Sequence, residues 1–196
     1  VLKKARQIKF KSVYVKGSLT DERLKELARL SRFEQGPRLA QEFLADMGIA
    51  LVFENHFNRT YLDGAAMLDG DRPVVALTLR HNRLDNFWFA LLHELIHVKE
   101  HLDADRSFIA DNLEDKIHQQ TKEECEADEG AREILIPRAE LLASDLISSP
   151  TMDAAMALAD KLRIHPTIVA GRVRFESGNW RLLSSIKAEV RCQFLG

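Results

Sequence analysis

The sequence predicts an α+β domain: a small, mostly antiparallel sheet packed on one long apolar helix, with a helical part at its C-terminal end. Three observations carry this expectation. Short apolar runs of strand character at 49–53 and 74–79 are separated by turns containing Gly and Asp. Two stretches, 84–102 and 122–135, repeat their apolar residues with a helical period. Beyond Pro137 only helical patterns return. The pattern divides the chain into a basic arm and linker helix at 1–35, a core at 36–145 and a helical subdomain at 146–196.

Composition narrows the class. The 196 residues are 45% hydrophobic and 30% charged, enough for a buried core and outside the disordered range. Lys and Arg total 28 against 30 Asp and Glu, a balance that excludes a strongly basic nucleic-acid coat. No apolar run approaches the ~20 residues that cross a bilayer, so no membrane partner is expected. Cys125 and Cys192 cannot build a disulfide framework, which predicts a reducing, cytoplasmic location. The start, Val1-Leu2-Lys3-Lys4, has no signal-peptide character. With no initiator Met, the chain is expected to be a piece of a longer protein, with an N-terminal domain ahead of it.

Residues 1–20 carry Lys3, Lys4, Arg6, Lys9, Lys11 and Lys16 and no acid, a pattern read as a solvated arm. From Thr20, the residues Leu24, Leu27, Ala28 and Leu30 recur at helical spacing. Gly36-Pro37 starts another helix, with Leu39, Ala40, Phe43, Leu44 and Met47 inward and Gly48 as its stop. After the strand at 49–53, runs at 59–62 and 65–68 flank Asp63-Gly64, a two-residue hairpin signal. Residues 69–73 make the next turn and 74–79 a further strand. Asp85 is placed to cap a helix running through Phe87, Leu91, Leu95 and Val98 to Leu102. Residues 103–120 read as a polar connection with one short helix. A strong helix covers 122–135, and Pro137 ends it. Ser149-Pro150-Thr151 introduces the next, with Ala155, Leu158, Ala159 and Leu162 inward. His165-Pro166 breaks it, and 167–175 forms another.

Inside the most hydrophobic helix, His93-Glu94-Leu95-Ile96-His97 matches H-E-x-x-H. A spacing of four puts both imidazoles on one face, within reach of one metal, and Glu94 beside them can hold the attacking water. An ordinary amphipathic helix carries such a pair toward solvent. Here it follows Asn86-Phe87-Trp88-Phe89-Ala90-Leu91-Leu92, and buried charge is retained only when something pairs it, as a divalent metal does. Zinc takes a third protein ligand and leaves a fourth position open. The class that continues as H-x-x-G-x-x-H is excluded, because Glu100 and Asp103 occupy those places. The remaining common solution is a Glu on a following helix.

Along 122–135, Ala127, Ala131, Ile134 and Leu135 form the buried stripe, and Glu124 and Asp128 extend it. Glu126, Glu129 and Glu133 fall toward the other side. Glu124 is therefore the favoured third ligand, with Glu126 and Glu123 as alternatives. Asp128, one turn on, is placed to accept a hydrogen bond from a ligand imidazole, or else is an ordinary surface acid. Cys125 points about 100° away from Glu124 and reads as an inert thiol. His101, one turn past His97 on the same face, is placed to support a ligand from behind, but the favoured reading is a helix-terminal His stabilised by the dipole. His56, His81 and His118 receive no role.

The stretch from Phe87 to His97 resembles the active-site helix of the ImmA/IrrE family of metallopeptidases. Glu124-Cys125-Glu126-Ala127-Asp128-Glu129-Gly130-Ala131, running into Ile134-Leu135-Ile136-Pro137, is similar to that family's second block, although Gly130 stands where Phe is common. Leu62-Asp63-Gly64-Ala65-Ala66 and Pro73-Val74-Val75-Ala76-Leu77 suit the sheet that leads into the helix. Residues 164–172 resemble the C-terminal part of members fused to a helix-turn-helix and described as HigA-like antitoxins or regulators. The resemblance spans 36–180. It implies a zincin-like, cytoplasmic zinc peptidase that cuts a repressor or antitoxin, with Zn²⁺ held by His93, His97 and Glu124.

Peptide hydrolysis by such a site assigns Glu94 the water proton and its delivery to the leaving amine. The developing oxyanion needs one donor besides the metal, and Tyr61, His101 and His165 are available. An extended substrate is expected to pair with an edge strand at 65–68. A reading from a different class lays 154–175 on a helix-turn-helix, with Ala159 at the small-residue position, Ile164 in the turn, Val169 packing the second helix, and Arg172 and Arg174 facing DNA. Arg163 stands there where Gly is usual, and Pro166 opens the second helix, so two helices supporting the peptidase is the more ordinary explanation. A third reading keeps the metal as structure in an antitoxin-type regulatory module. The intact Glu94 argues against it, because a structural site has no use for a base.

Overall fold

The apolar runs at 50–54 and 72–78 form strands because both of their faces are covered. The computed structural model describes residues 1–54, 63–78, 80–103, 105–110 and 121–190. Within it, β1 (Ala50–Glu54), β2 (Gly64–Asp69), β3 (Arg72–Thr78) and β4 (Phe108–Ala110) form one sheet in the order β1-β3-β2-β4. Leu51, Ala66, Val75 and Leu77 face the main core, while Ala50, Val52 and Val74 pack with Ala5 on the opposite face. Such two-sided burial produces continuous apolar runs rather than alternation.

The sheet is mixed, not mostly antiparallel. β2 and β3 form a hairpin that closes on Asp69 opposite Arg72 around Gly70-Asp71, and β3 then returns parallel to β1. The expected turn at Asp63-Gly64 is absent, because Gly64 opens β2 opposite Leu77; residues 59–62 and Leu79 lie outside the described residues. β4 arises within the expected connection 103–120 and pairs antiparallel with β2 over Ala65–Met67. Three residues are too few to show a period of two. β2 is therefore an interior strand, and the expectation of a substrate-binding edge at 65–68 is corrected.

The basic arm is laid on the sheet. α1 (Leu2–Ala5) buries Ala5 completely, Lys4 pairs with Glu54 at 2.7 Å, and Arg6 pairs with Asp69 at 2.7 Å. Each exposed pair contributes little by itself. α2 (Asp21–Arg29) is capped by Thr20, whose hydroxyl accepts from the Arg23 amide. α3 (Gly36–Asp46) has Pro37 in its first turn and buries Ala40 and Leu44, with Phe43 and Met47 half-buried.

α4 (Leu84–Ile96) is the axis of the molecule, burying Leu84, Phe87, Trp88, Leu91, Leu92, Leu95 and Ile96, and it continues as a π turn at His97–His101. Asp85 is not its cap. Arg83 holds that place, and Asp85 sits in the first turn, ion-paired to Arg83, where the helix dipole favours an acid. α5 (Lys122–Leu135) crosses α4, capped by Thr121 and turning Ala127, Ala131, Ile134 and Leu135 inward. A Cβ on Gly130 would lie 3.0 Å from Ile96 Cδ1, so Gly at this position permits the close approach of these two helices. No described helix is long and apolar enough to cross a membrane.

α6 (Arg138–Ala143), α7 (Met152–Leu162) and α8 (Pro166–Ser177) are the last helices among the described residues, and Arg163 takes the left-handed conformation (φ 59°) at the corner between α7 and α8. The two arginines that the rival DNA-binding reading turns outward are used inside the protein. Arg174, only 7% exposed, donates to the carbonyls of Leu182, Leu183 and Ile186. Arg172 donates to the Arg132 carbonyl and pairs with Glu176 at 2.6 Å. Replacing Arg174 by Ala leaves three carbonyls without their charged donor and is expected to cost about 3 kcal/mol or more of stability. Thermal unfolding followed by circular dichroism checks this; an unchanged midpoint would return Arg174 to the surface role.

Candidate metal centre

His93, Glu94 and His97 point inward from α4 and are 4%, 2% and 1% exposed. Leu91, Leu92 and Leu95 anchor the same turns in the core, so the polar groups are buried by the helix that carries them. The small residues of α5 bring its first turn across this face and place Glu124 opposite both rings. His93 Nε2 and His97 Nε2 lie 3.1 Å apart, and the Glu124 carboxylate oxygens lie 3.2 Å from the first and 3.3 Å from the second. The two contacts go to different carboxylate oxygens, Oε2 and Oε1, and one ligand atom from each of the three residues lies within 4.8 Å of the others, close enough for one ion to bridge them.

The hydrogen bonds behind the rings decide which nitrogens face inward. His93 Nδ1 is 3.0 Å from Asp128 Oδ1, and a carboxylate only accepts, so Nδ1 carries the proton. Nε2 then presents a lone pair when the ring is neutral. His97 Nδ1 is 2.9 Å from His101 Nδ1, and His101 Nε2 is 3.1 Å from Glu126 Oε2. Glu126 accepts from His101 Nε2, His101 Nδ1 accepts from His97 Nδ1, and His97 Nε2 is left as a lone pair too. Two lone pairs and a carboxylate thus converge, with Glu124 Oε2 buried 3.2 Å from His93 Nε2. Such a cluster is stable only with a cation at its centre. In the ion-free protein a proton serves instead: burial lowers the His93 pKa, but the hydrogen bonds to Asp128 and Glu124 outweigh it and hold the imidazolium up to about 10. Glu124 is raised by burial, and its two His partners pull it well below the ordinary carboxylate range.

Asp128 also receives a hydrogen bond from Arg132 Nη2 at 2.8 Å, which fixes the carboxylate from its other side. The alternatives to Glu124 are engaged elsewhere: Glu123 pairs with Arg106 at 3.0 Å and Glu126 with His101 and Lys122. Cys125 is exposed and free. His101 is a correction. It is not simply a helix-terminal His but the acceptor that orients His97, brought there by the π turn, and the His93, His97, His101 spacing of four was the available signal. His165 Nδ1 accepts from the Thr167 amide and caps α8, so it is committed to the corner between α7 and α8. Tyr61, His56 and His118 lie outside the described residues.

Sequence reasoning about the site also missed Gly64. A Cβ there would lie 2.4 Å from Glu94 Oε1, so only Gly lets the first residue of β2 pass over that carboxylate. Gly64→Ala is expected to push Glu94 aside and lower turnover about 10²-fold, with the metal content unchanged. Steady-state rates beside elemental analysis check this; a rate within twofold of the parent would mean that Glu94 has slack in its position.

The family model for the IrrE N-terminal-like domain, peptidase M78, matches residues 45–173. The chain belongs to this family. The match runs from the residues just before β1 into α8 and takes in His93, Glu94, His97, Glu124 and Asp128, so the M78 domain here is a metallopeptidase-type domain with a metal-binding group at its centre. A search of curated proteins returns no match.

Proposed function

We propose that this M78 domain is a zinc endopeptidase of the H-E-x-x-H plus Glu type, with His93, His97 and Glu124 as ligands and Glu94 as general base. The reading is carried by one observation: the two Nε2 atoms lie 3.1 Å apart, each within 3.3 Å of one oxygen of the Glu124 carboxylate, beside a second buried carboxylate, that of Glu94. Two imidazoles and one Glu form the donor set of catalytic zinc sites that keep a position open. An ion bound there polarises the scissile carbonyl and acidifies water. Glu94 takes a proton from the attacking water at a carboxylate oxygen and returns it to the amine nitrogen as the C–N bond breaks. Asp128 and His101 hold the two rings so that neither rotates during that exchange.

The proposed substrate is a regulatory protein, a repressor or antitoxin. The likeness of residues 164–172 to helix-turn-helix-fused members supports this reading, and no DNA contact is assigned to α7 and α8. The test is chelation and reconstitution. Protein stripped of metal is expected to stop cutting an unfolded protein substrate and to recover with one equivalent of Zn²⁺ but not of Mg²⁺. Cleavage that continues in metal-free protein would end the zinc reading.

A further inference from the structure

Three charged residues recur every four positions along α5: Glu124, Asp128 and Arg132. That spacing keeps them on one stripe of the helix. Glu124 meets the two imidazoles, Asp128 Oδ1 accepts from His93 Nδ1 at 3.0 Å, and Arg132 Nη2 donates to Asp128 Oδ2 at 2.8 Å. The first two act at the centre, and the third is more than a helix-surface ion pair. Pairs of that kind lie in solvent and contribute little, whereas the Arg132 and Asp128 side chains are only 19% and 16% exposed. Glu129, 63% exposed, is the solvent-side acid within reach of Arg132, and it stands farther off at 3.5 Å.

Asp128 needs a second grip. The torsion that turns an aspartate carboxylate is broad and two-fold, so a carboxylate held at one oxygen swings and takes its partner with it. Arg132 holds the other oxygen and closes that freedom. A long arginine side chain is itself mobile unless packed, and here both of its ends are held by α8. The guanidinium lies over the Phe175 ring, 4.7 Å from its centroid, with the Phe89 ring of α4 at 5.9 Å. At the other end the Arg132 carbonyl accepts from Arg172 Nη1 at 3.1 Å, and Arg172 is tied to Glu176 at 2.6 Å.

We propose that Arg132 is a positioning residue of the metal centre: it locks Asp128, Asp128 locks the His93 ring, and α8 locks Arg132. The assignment rests on the reading of His93 as a zinc ligand. It gives α8 a task at a centre to which it contributes none of the three ligands. Position and charge make opposite predictions here. A guanidinium repels an incoming cation, so an Arg132 acting by charge alone weakens zinc binding, and its removal tightens it. An Arg132 acting by position strengthens binding, and its removal loosens it.

The test is a double-mutant cycle on the full chain, with Zn²⁺ affinity read by competition with a chromophoric chelator. Arg132→Met is expected to weaken Zn²⁺ binding about tenfold, the lower end for groups that stand behind a ligand. Arg132→Lys, which keeps one donor for Asp128, should recover at least half of that loss on a logarithmic scale. In the Asp128→Asn background the side-chain amide has one acceptor oxygen, already used by His93, so Arg132→Met should change affinity less than about twofold. Phe175→Ala, at an exposed ring that touches no ligand, should weaken binding about threefold where Arg132 is present and not where it is Met. The His93 Nδ1 proton of the Zn²⁺-loaded protein, followed by NMR in histidine-labelled samples, should exchange with water about fivefold faster or more in Arg132→Met. Affinity that is unchanged or tighter in Arg132→Met overturns the proposal, as does an equal loss with Asn at 128, which would mean general loosening of α5 and α8. A parent protein that takes up no Zn²⁺ removes the zinc reading and this inference with it. The expected cycle in a protein that cuts no peptide leaves Arg132 in its role and removes the peptidase reading alone.

Discussion

Replacing Glu94 by Gln is expected to leave one metal ion per chain and to lower peptide hydrolysis about 10³-fold or more. General-base catalysis contributes ~10²–10⁴-fold, and an amide cannot take the water proton. The change is nearly isosteric, which matters here because Gly64 lies so close that a single Cβ would meet Glu94 Oε1 at 2.4 Å. Gln therefore occupies the same space, and His93, His97 and Glu124 keep their positions. Burial sharpens the contrast, since Glu94 is 2% exposed and bulk water has little room to substitute for it. Elemental analysis, thermal unfolding and steady-state cleavage on one preparation separate loss of the base from loss of the fold. Undiminished proteolysis by the variant would remove Glu94 from its role. Loss of metal with it would make Glu94 a ligand.

The parts of the centre readable from sequence are those that follow from periodicity on one helix. A spacing of four assigns His93 and His97 to one face, and the apolar stripe of α5 turns Glu124 and Asp128 toward α4, where the structure places them. What was not readable depends on contacts between elements or on departures from regular geometry. The spacing of four put His101 on the face of His97, but the hydrogen bond between the two rings forms in a π turn that periodicity does not specify. Glu126, on the solvated side of α5, still reaches His101 because it lies near the helix end. Gly64 reads as a hairpin residue by composition, and only the position of Glu94 reveals why Gly is needed there. The same holds for the fold. The longer helices α2–α5, α7 and α8 were legible to within a few residues because caps and prolines mark them, as Thr121 and Pro137 do for α5, whereas the short α1 and α6 were not read. Strand order was not, since an apolar run covered on both faces says nothing of its neighbours, and a parallel pair arose where antiparallel ones were expected. Arg172 and Arg174 carry the wider lesson. Basic residues on a helix resembling a recognition helix read as a DNA face, yet both are bonded to carbonyls of the protein itself.

The Glu124→Ala protein is expected to lose its metal, whereas Glu126→Ala keeps it. Structural zinc sites bind with ~10–16 kcal/mol from four ligands, so one ligand is worth roughly 3 kcal/mol, or over 100-fold in affinity. Glu126 acts two hydrogen bonds away, through His101 on His97, and outer partners of that kind are worth about 10–100-fold, so Glu126→Ala should sit near the lower end while retaining one ion per chain at micromolar metal. Proton release gives an independent reading of the same site. The His93 imidazolium, held up to about 10 in the ion-free protein, must shed its proton when an ion enters, so uptake at neutral pH releases acid and apparent affinity rises with pH. Glu124 is one of the groups holding that proton, and its removal should lower both the His93 pKa and the number of protons released. Competition with a chromophoric chelator in two buffers of different ionisation enthalpy measures affinity and proton count together. The decisive pattern is the order of the two variants. If Glu126→Ala lost the ion and Glu124→Ala held it, the third ligand would lie one turn-face away, and Glu124 would be left as a buried carboxylate with no cation to explain it.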